Sequence, residues 1–170
     1  MGYTLKIGDL VVDYDQDEDY PNVSLTAKGF AHDGAPAFGE PTDHTSERWP
    51  SYSGWSEFTQ KAGIYTMFYG KEHGSMELSR DDALLRHHPG CVPLTECHRR
   101  EVNAALAAWK VKYPDATPTF GKPAPEGERN FFWVDEDNPE ENSQMTRLVW
   151  LHYWINWALD NCEQPVFENS

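Results

Sequence analysis

The chain has 170 residues and a formal net charge of −14, from 28 acidic and 14 basic side chains. That balance argues against direct nucleic-acid binding, which needs cations to displace counterions from phosphates, and against adsorption to anionic membranes. With 39% hydrophobic and 14% aromatic residues, the chain can fold as one domain, residues 1–170, around a ring-rich core.

Tyr3-Thr-Leu-Lys-Ile7 alternates, Gly8-Asp9 follows, and Leu10-Val-Val-Asp-Tyr14 resumes the pattern. This predicts two strands joined by a two-residue type II′ turn. Asn22–Lys28 alternates again and predicts a third strand. The intervening Asp13-Tyr-Asp-Gln-Asp-Glu-Asp19 resembles the start of a calcium loop, but Glu18 and Ser24 stand where that loop requires glycine and a bidentate glutamate. A solvated acidic loop is expected instead. Residues 29–50, rich in Gly, Pro, Thr and Asp, predict an ordered but irregular loop.

Trp49-Pro-Ser-Tyr-Ser-Gly-Trp-Ser-Glu-Phe58 and Ile64-Tyr-Thr-Met-Phe-Tyr69 make a dense aromatic patch. Trp55, Phe58 and Ala62 have helical spacing, with Ser53 as N-cap. The patch is expected to be core, and a ligand cage built of rings is the sharper alternative. Ser79-Arg-Asp-Asp82 has the form of a capping box and predicts a short helix from Arg80 to His88, ended by Pro89-Gly90. Thr95 caps the next helix, which buries Val102, Ala105, Leu106 and Trp109 and stops near Tyr113-Pro114. Residues 114–130 form a loop, and Phe131-Phe-Trp-Val134 is a short apolar run.

Asn138-Pro139-Glu-Glu141 supplies an Asn cap, a first-position proline and acids at the positive end of a helix dipole. The last helix is therefore predicted from about Pro139 to Asn161. It is apolar on nearly every side, carries three of the seven tryptophans, and should be the central element of the core. One polar row interrupts it: His152, Asn156 and Asp160, spaced four apart on one face. That row either forms the thin solvent edge of the helix or lines a pocket shared with the 95–112 helix.

Cys91, Cys97 and Cys162 are an odd set without disulfide spacing and point to reduced thiols in a cytoplasm. The first residues run into a strand pattern with no signal peptide, so Asn22-Val-Ser24 is a chance match to a glycosylation acceptor. No segment is apolar enough for long enough to span a bilayer.

The densest reactive cluster is His87-His88-Pro-Gly-Cys91-Val-Pro-Leu-Thr-Glu-Cys97-His98. Thiolate and imidazole suit zinc, so His88, Cys91 and His98 are the candidate metal ligands and zinc the only cofactor considered. Cys97 and His98 diverge by about a hundred degrees on a helix and would not chelate one ion together. Cys91 with His98 or His152, oriented by Asp160 or Asn156, is the candidate nucleophile–base arrangement of a small hydrolase. Against both stands a tight turn with Cys91 as small filler. Residues 80–112 carry six cations against four acids, and Arg99 and Arg100 sit near a helix start that also favours anions. Arg99, Arg100, His152, Asn156 and Asp160 are thus the candidate ligand-binding residues, for a small anionic ligand. Surface ion pairs within the helices are the plainer alternative.

His88-Pro-Gly-Cys-Val-Pro-Leu-Thr95 together with Trp157-Ala-Leu-Asp-Asn-Cys162 resembles small proteins of tailed bacteriophages and actinobacteria. The resemblance covers the second half of the chain and carries over no catalytic residue. It implies a phage or mobile-element accessory protein in a bacterial cytoplasm.

The expected fold is α+β: a small N-terminal antiparallel sheet packed on three or four helices, with the Trp-rich C-terminal helix central. The absence of P-loop, GxGxxG, GxSxG and HExxH patterns favours an accessory protein binding a host protein or a small anionic ligand. A metal- or cysteine-dependent hydrolase and an acidic DNA mimic are the alternatives, and a homo-oligomer is left open.

Overall fold

The computed structural model describes residues 3–15, 22–39, 42–49, 52–70, 82–86, 88–120 and 140–170. The elements are β1 (Tyr3–Asp15), β2 (Asn22–Lys28), β3 (Ser46–Trp49), α1 (Tyr52–Lys61), α2 (Tyr65–Tyr69), β4 (Gly90–Pro93), α3 (Glu96–Lys112), α4 (Glu140–Asn161) and β5 (Pro165–Asn169). The fold is α+β, as the sequence predicts. The five strands make one antiparallel sheet in the order β2-β1-β5-β4, and β3 pairs with the N-terminal half of β1.

β1 departs from expectation. Gly8-Asp9 is not a turn; the strand runs unbroken through it for 13 residues. The glycine is there for space, since a Cβ at Gly8 would lie 1.9 Å from the Lys28 carbonyl oxygen. That close backbone approach is the other reason for an isolated glycine in a strand pattern. The strand predicted to Tyr14 runs on through Asp15, expected in the acidic loop, and Asp13–Asp15 pair with Asn22–Ser24. Asp17–Asp19 lie outside the described residues.

Three strands were not expected. β3 occupies the end of the 29–50 segment, and β4 and β5 build the far half of the sheet. β5 lies between β1 and β4, with Phe167 fully buried. The sheet is coiled enough that β2 approaches β4 from the opposite end of the strand order. There the Glu168 carboxylate accepts the Ala27 N–H at 2.7 Å, capping one donor on the outer edge of β2.

The helices follow the sequence more closely. α1 buries Trp55 and Phe58 and is followed by buried Ala62, so these rings are core and not a cage. The predicted 80–88 helix is corrected: its described part, residues 82–86, is a turn closed by Arg86 N–H to the Ala83 carbonyl. Leu84 and Leu85 instead donate backbone bonds to Met67 and Phe68. α3 buries Val102, Ala105, Leu106 and Trp109, as its spacing requires, and ends at Tyr113. The Ser79 box, the Phe131–Val134 run and the Asn138-Pro139 helix start lie outside the described residues.

α4 is apolar on nearly every side because nearly every side is covered. It packs on α3 and against β1 and β5, while the 29–45 segment crosses its remaining side. Trp150, Leu151, Trp154 and Ile155 are fully buried in the one core cluster. Two buried indoles find acceptors in the crossing segment: Trp150 Nε1–H donates to the His44 carbonyl at 2.9 Å and Trp154 Nε1–H to the Pro36 carbonyl at 2.8 Å. This is how large amphipathic rings are accommodated in a core.

The crossing segment is itself pinned by Asp43. Its carboxylate accepts from Thr45 N–H (3.1 Å), Thr45 Oγ1–H (2.8 Å) and Ser46 Oγ–H (2.8 Å), and it pairs with Lys6 Nζ at 3.1 Å. Burial alone would raise the Asp43 pKa, but the bonds from Ser46, Thr45 and Lys6, with the Lys6 charge, hold it below the usual aspartate value. No helix among the described residues is long and apolar enough to cross a membrane.

Candidate functional site

The polar row of α4 points at α3. The helices run antiparallel, and Arg99 Nη2 donates to Asp160 Oδ1 at 2.8 Å while Asn156 Nδ2 donates to Asn103 Oδ1 at 2.9 Å. His152, one turn earlier, is near Lys110. Burial lowers its pKa and the Lys110 charge lowers it further, so the neutral ring is favoured. Side-chain pairs therefore occupy the space between the two helices. The row forms a partly exposed seam of side-chain pairs with α3.

Arg99 pairs with one acid on its own helix and one across the seam. Its Nε lies 3.2 Å from Glu96 Oε2 and its Nη2 is held by Asp160. Arg100 Nη2 donates to Cys97 Sγ at 3.2 Å. The Arg99 charge is thus answered within the chain. For Arg99 the plainer alternative, ion pairs at the helix surface, matches the geometry.

The 88–98 turn disperses its reactive groups. His98 is fully buried, and its Nδ1 accepts the Thr95 N–H at 2.9 Å. Nε2 must then carry the proton, which it donates to the Asp82 carbonyl at 3.0 Å. His98 is the N3 residue of α3 and takes the place that Glu or Gln holds in a capping box. Burial lowers its pKa against the opposing pull of Asp82, so the ring is a neutral structural bridge with both nitrogens engaged.

His88 Nδ1 lies 3.1 Å from Asn169 Oδ1, on the last residue of β5. Cys91 is in β4 opposite Glu168, and burial with the nearby Glu168 charge raises its pKa to about 11. A nucleophilic thiol needs the opposite shift, toward thiolate. Cys162 is likewise raised to about 11, by burial and by Asp9 against the opposing charge of Lys28. Among the described residues no three His, Cys, Asp or Glu side chains converge to hold a metal ion. Among the described residues, His88, Cys91 and His98 thus have separate neighbours: Asn169 for His88, Glu168 for Cys91, and Thr95 with Asp82 for His98.

Two groupings were missed in the sequence. The first is a ring stack over α4: the His32 ring lies 4.8 Å from Trp157 and 5.6 Å from Trp154, and Phe30 lies 4.6 Å from Trp157. His44 Nδ1 accepts the His32 backbone N–H at 3.2 Å, tying the two ends of the crossing segment together. Rings enclose this histidine, so the stack is packing.

The second is the arm formed by β2 and the C-terminal half of β1. Registers Leu10↔Ala27, Val12↔Leu25 and Tyr14↔Val23 place six apolar side chains on one face of a two-stranded ribbon. Asp9, Val11, Asp13, Ser24, Thr26 and Lys28 take the other face. A ribbon with an apolar face normally lays it on a core. Here Val12, Tyr14, Val23 and Leu25 are between 41% and 63% exposed. The period-two alternation of both strands was the signal for this face. What covers it is not written in the alternation.

The chain matches no protein-family model, no curated protein and no solved structure.

Proposed function

We propose that this chain is a non-enzymatic accessory protein that acts by binding another protein through the β1–β2 arm. The observation that carries the reading is the exposed apolar face Val12, Tyr14, Val23 and Leu25, contiguous and on one side of one ribbon. Contiguous exposed apolar surface marks interaction sites far more often than scattered apolar residues do. In the setting implied by the phage resemblance, the partner is a host-cell protein.

The competing readings draw less support. A small anionic ligand at Arg99 would have to displace Glu96 and Asp160. A hydrolase using Cys91 would start from a thiol whose pKa is shifted away from reactivity, and its candidate base His98 has both nitrogens bonded elsewhere. A DNA mimic needs its acids on one face, whereas Asp43, Glu57, Glu96 and Asp160 lie on separate elements and pair with Lys6, Lys61 and Arg99.

The test is quantitative affinity capture from bacterial extract with the wild-type chain and with a Val12→Ser, Leu25→Ser double variant, whose substitutions are at exposed positions. A partner retained by the wild type and lost by the variant supports the reading. Identical captured sets from the two proteins overturn it.

A further inference from the structure

The arm has an open edge as well as an open face. β5 pairs with β1 only from Leu5 to Asp9, and the last bond on that side is Leu10 N–H to the Gln164 carbonyl at 3.0 Å. Antiparallel strands send the N–H and C=O of alternate residues to the same side. The Leu10 bond therefore fixes the direction for Val12 and Tyr14, whose backbone groups face the edge beyond the end of β5. Among the described residues nothing pairs with them there. The opposite edge is partly closed, because the Glu168 carboxylate caps the Ala27 N–H.

We propose that the Val12–Tyr14 edge of β1 accepts a strand from a partner protein in which apolar residues alternate with lysine or arginine. This rests on the protein-binding reading above and names what binds. A strand added beside β1 continues both faces of the ribbon. On the apolar face its side chains would lie beside Val12 and Tyr14, extending the Val12–Leu25 and Tyr14–Val23 rungs. On the other face it meets Asp13, since Asp9 already faces Pro165 and accepts the Gln164 N–H at 2.7 Å; opposite charges across neighbouring strands are favourable.

A second copy of the chain fits this edge poorly. Two-fold antiparallel pairing centred on Asp13 sets that residue against its own copy, and pairing centred on Tyr14 sets Asp13 against Asp15. Pairing centred on Val11 or Val12 would carry the copy's strand across Asp9 or Leu10, where Pro165 and Gln164 of the β5 side already lie. Like charges directly opposite are destabilising, and each copy also brings a net charge of −14. Four exposed side chains also fall well short of the roughly 800 Å² per partner that a standard interface buries. Main-chain hydrogen bonds along the edge supply affinity that the face alone does not, which is the physics of strand addition.

The test uses the whole chain and three fluorescein-labelled octapeptides: alternating Val and Lys, alternating Val and Glu, and the Val/Lys peptide N-methylated at alternate amides. Fluorescence anisotropy should show saturable binding of the Val/Lys peptide, with the Val/Glu and N-methylated peptides weaker by at least ~tenfold. Asp13→Lys should weaken the Val/Lys peptide by about tenfold, while Asp115→Lys, an equal change of net charge far from the arm, should alter it less than ~twofold. The N-methylated peptide needs no variant and so cannot be confounded by misfolding. Equal binding of the lysine and glutamate peptides, no binding of the lysine peptide up to ~1 mM, or no effect of N-methylation overturns the proposal. A concentration-dependent dimer in sedimentation, abolished by Tyr14→Lys, also overturns it, in favour of a second copy. If arm-dependent capture succeeds while the peptides fail, strand addition falls and the protein-binding reading stands. If arm substitutions leave the captured set unchanged, both fall.

Discussion

Arg99 in the first turn of α3 donates to Asp160 in the last turn of α4, across 2.8 Å and 61 residues of chain. With Asn103–Asn156 it sets the register of the two helices from outside the core. Asp160 is largely exposed, so the pair is screened by water and salt. In urea denaturation, a double-mutant cycle with Arg99→Ala and Asp160→Ala should give a coupling energy below about 1 kcal/mol that shrinks as salt is added. A coupling of several kcal/mol would show that the seam is more than a surface feature.

His98 makes stability fall on the acid side of neutrality. Its folded pKa is depressed by burial, so the unfolded chain binds the proton more readily than the folded one. The stability it contributes is fully present above the ordinary histidine value of about 6.5 and is lost as pH falls through the lower folded value. His152, also depressed, acts in the same direction and window. Asp43 adds a second loss at lower pH, below the usual aspartate value. His98→Gln keeps a side-chain acceptor for the Thr95 N–H but gives up the bond to the Asp82 carbonyl. It should cost about 1 kcal/mol at pH 8. It should also flatten the slope of denaturation free energy against pH just below 6.5.

Gly8 and Gly63 separate lack of space from backbone strain. At Gly8 a Cβ meets the Lys28 carbonyl oxygen, which cannot move without shifting β2. Gly8→Ala should cost at least ~3 kcal/mol, the upper end of overpacking. At Gly63 φ is +73° and nothing lies within 4 Å of the added atom. Gly63→Ala should therefore cost only the left-handed backbone penalty, about 1–2 kcal/mol. Thermal melts of the two variants side by side make the comparison.

Cys91 and Cys162 should be slow thiols. With both pKa values near 11 the native chain holds little thiolate at pH 8. Labelling of these positions by a disulfide reagent should be roughly a hundredfold slower than in the urea-unfolded chain. Peptide mapping of the labelled sites reads it out. Fast labelling of Cys91 in the folded protein would reopen the nucleophile reading.

The parts of the fold legible in the sequence are those whose cause is local. α4 declares itself by being apolar on nearly every side, and α3 by Val102, Ala105, Leu106 and Trp109 at helical spacing. Gly8 was misread because Gly-Asp between alternating runs is a local turn signal, whereas the reason for the glycine is the Lys28 carbonyl, twenty residues away. β4 and β5 are four and five residues long, each with a proline at one end, and only their pairing with each other and with β1 makes them strands. The candidate site follows the same division. Spacing placed His152, Asn156 and Asp160 on one face, but their partners on α3 depend on how two helices slide past each other. The apolar face of the arm was present in the alternation; that Val12, Tyr14, Val23 and Leu25 stay exposed is a fact of tertiary structure.

β5 also sets the timing of folding. Residues 5–9 find their neighbours at 165–169, and β4 joins the sheet only through that same strand. As the chain leaves the ribosome, β1 can pair with β2 and β3 early, and α3 can meet α4, but Leu5, Ile7 and Val92 stay without Phe167 between them. Closing so long a loop is slow, since non-local pairing must precede its reward. The sheet should therefore stay half-built, with that edge of β1 open, until β5 is in place.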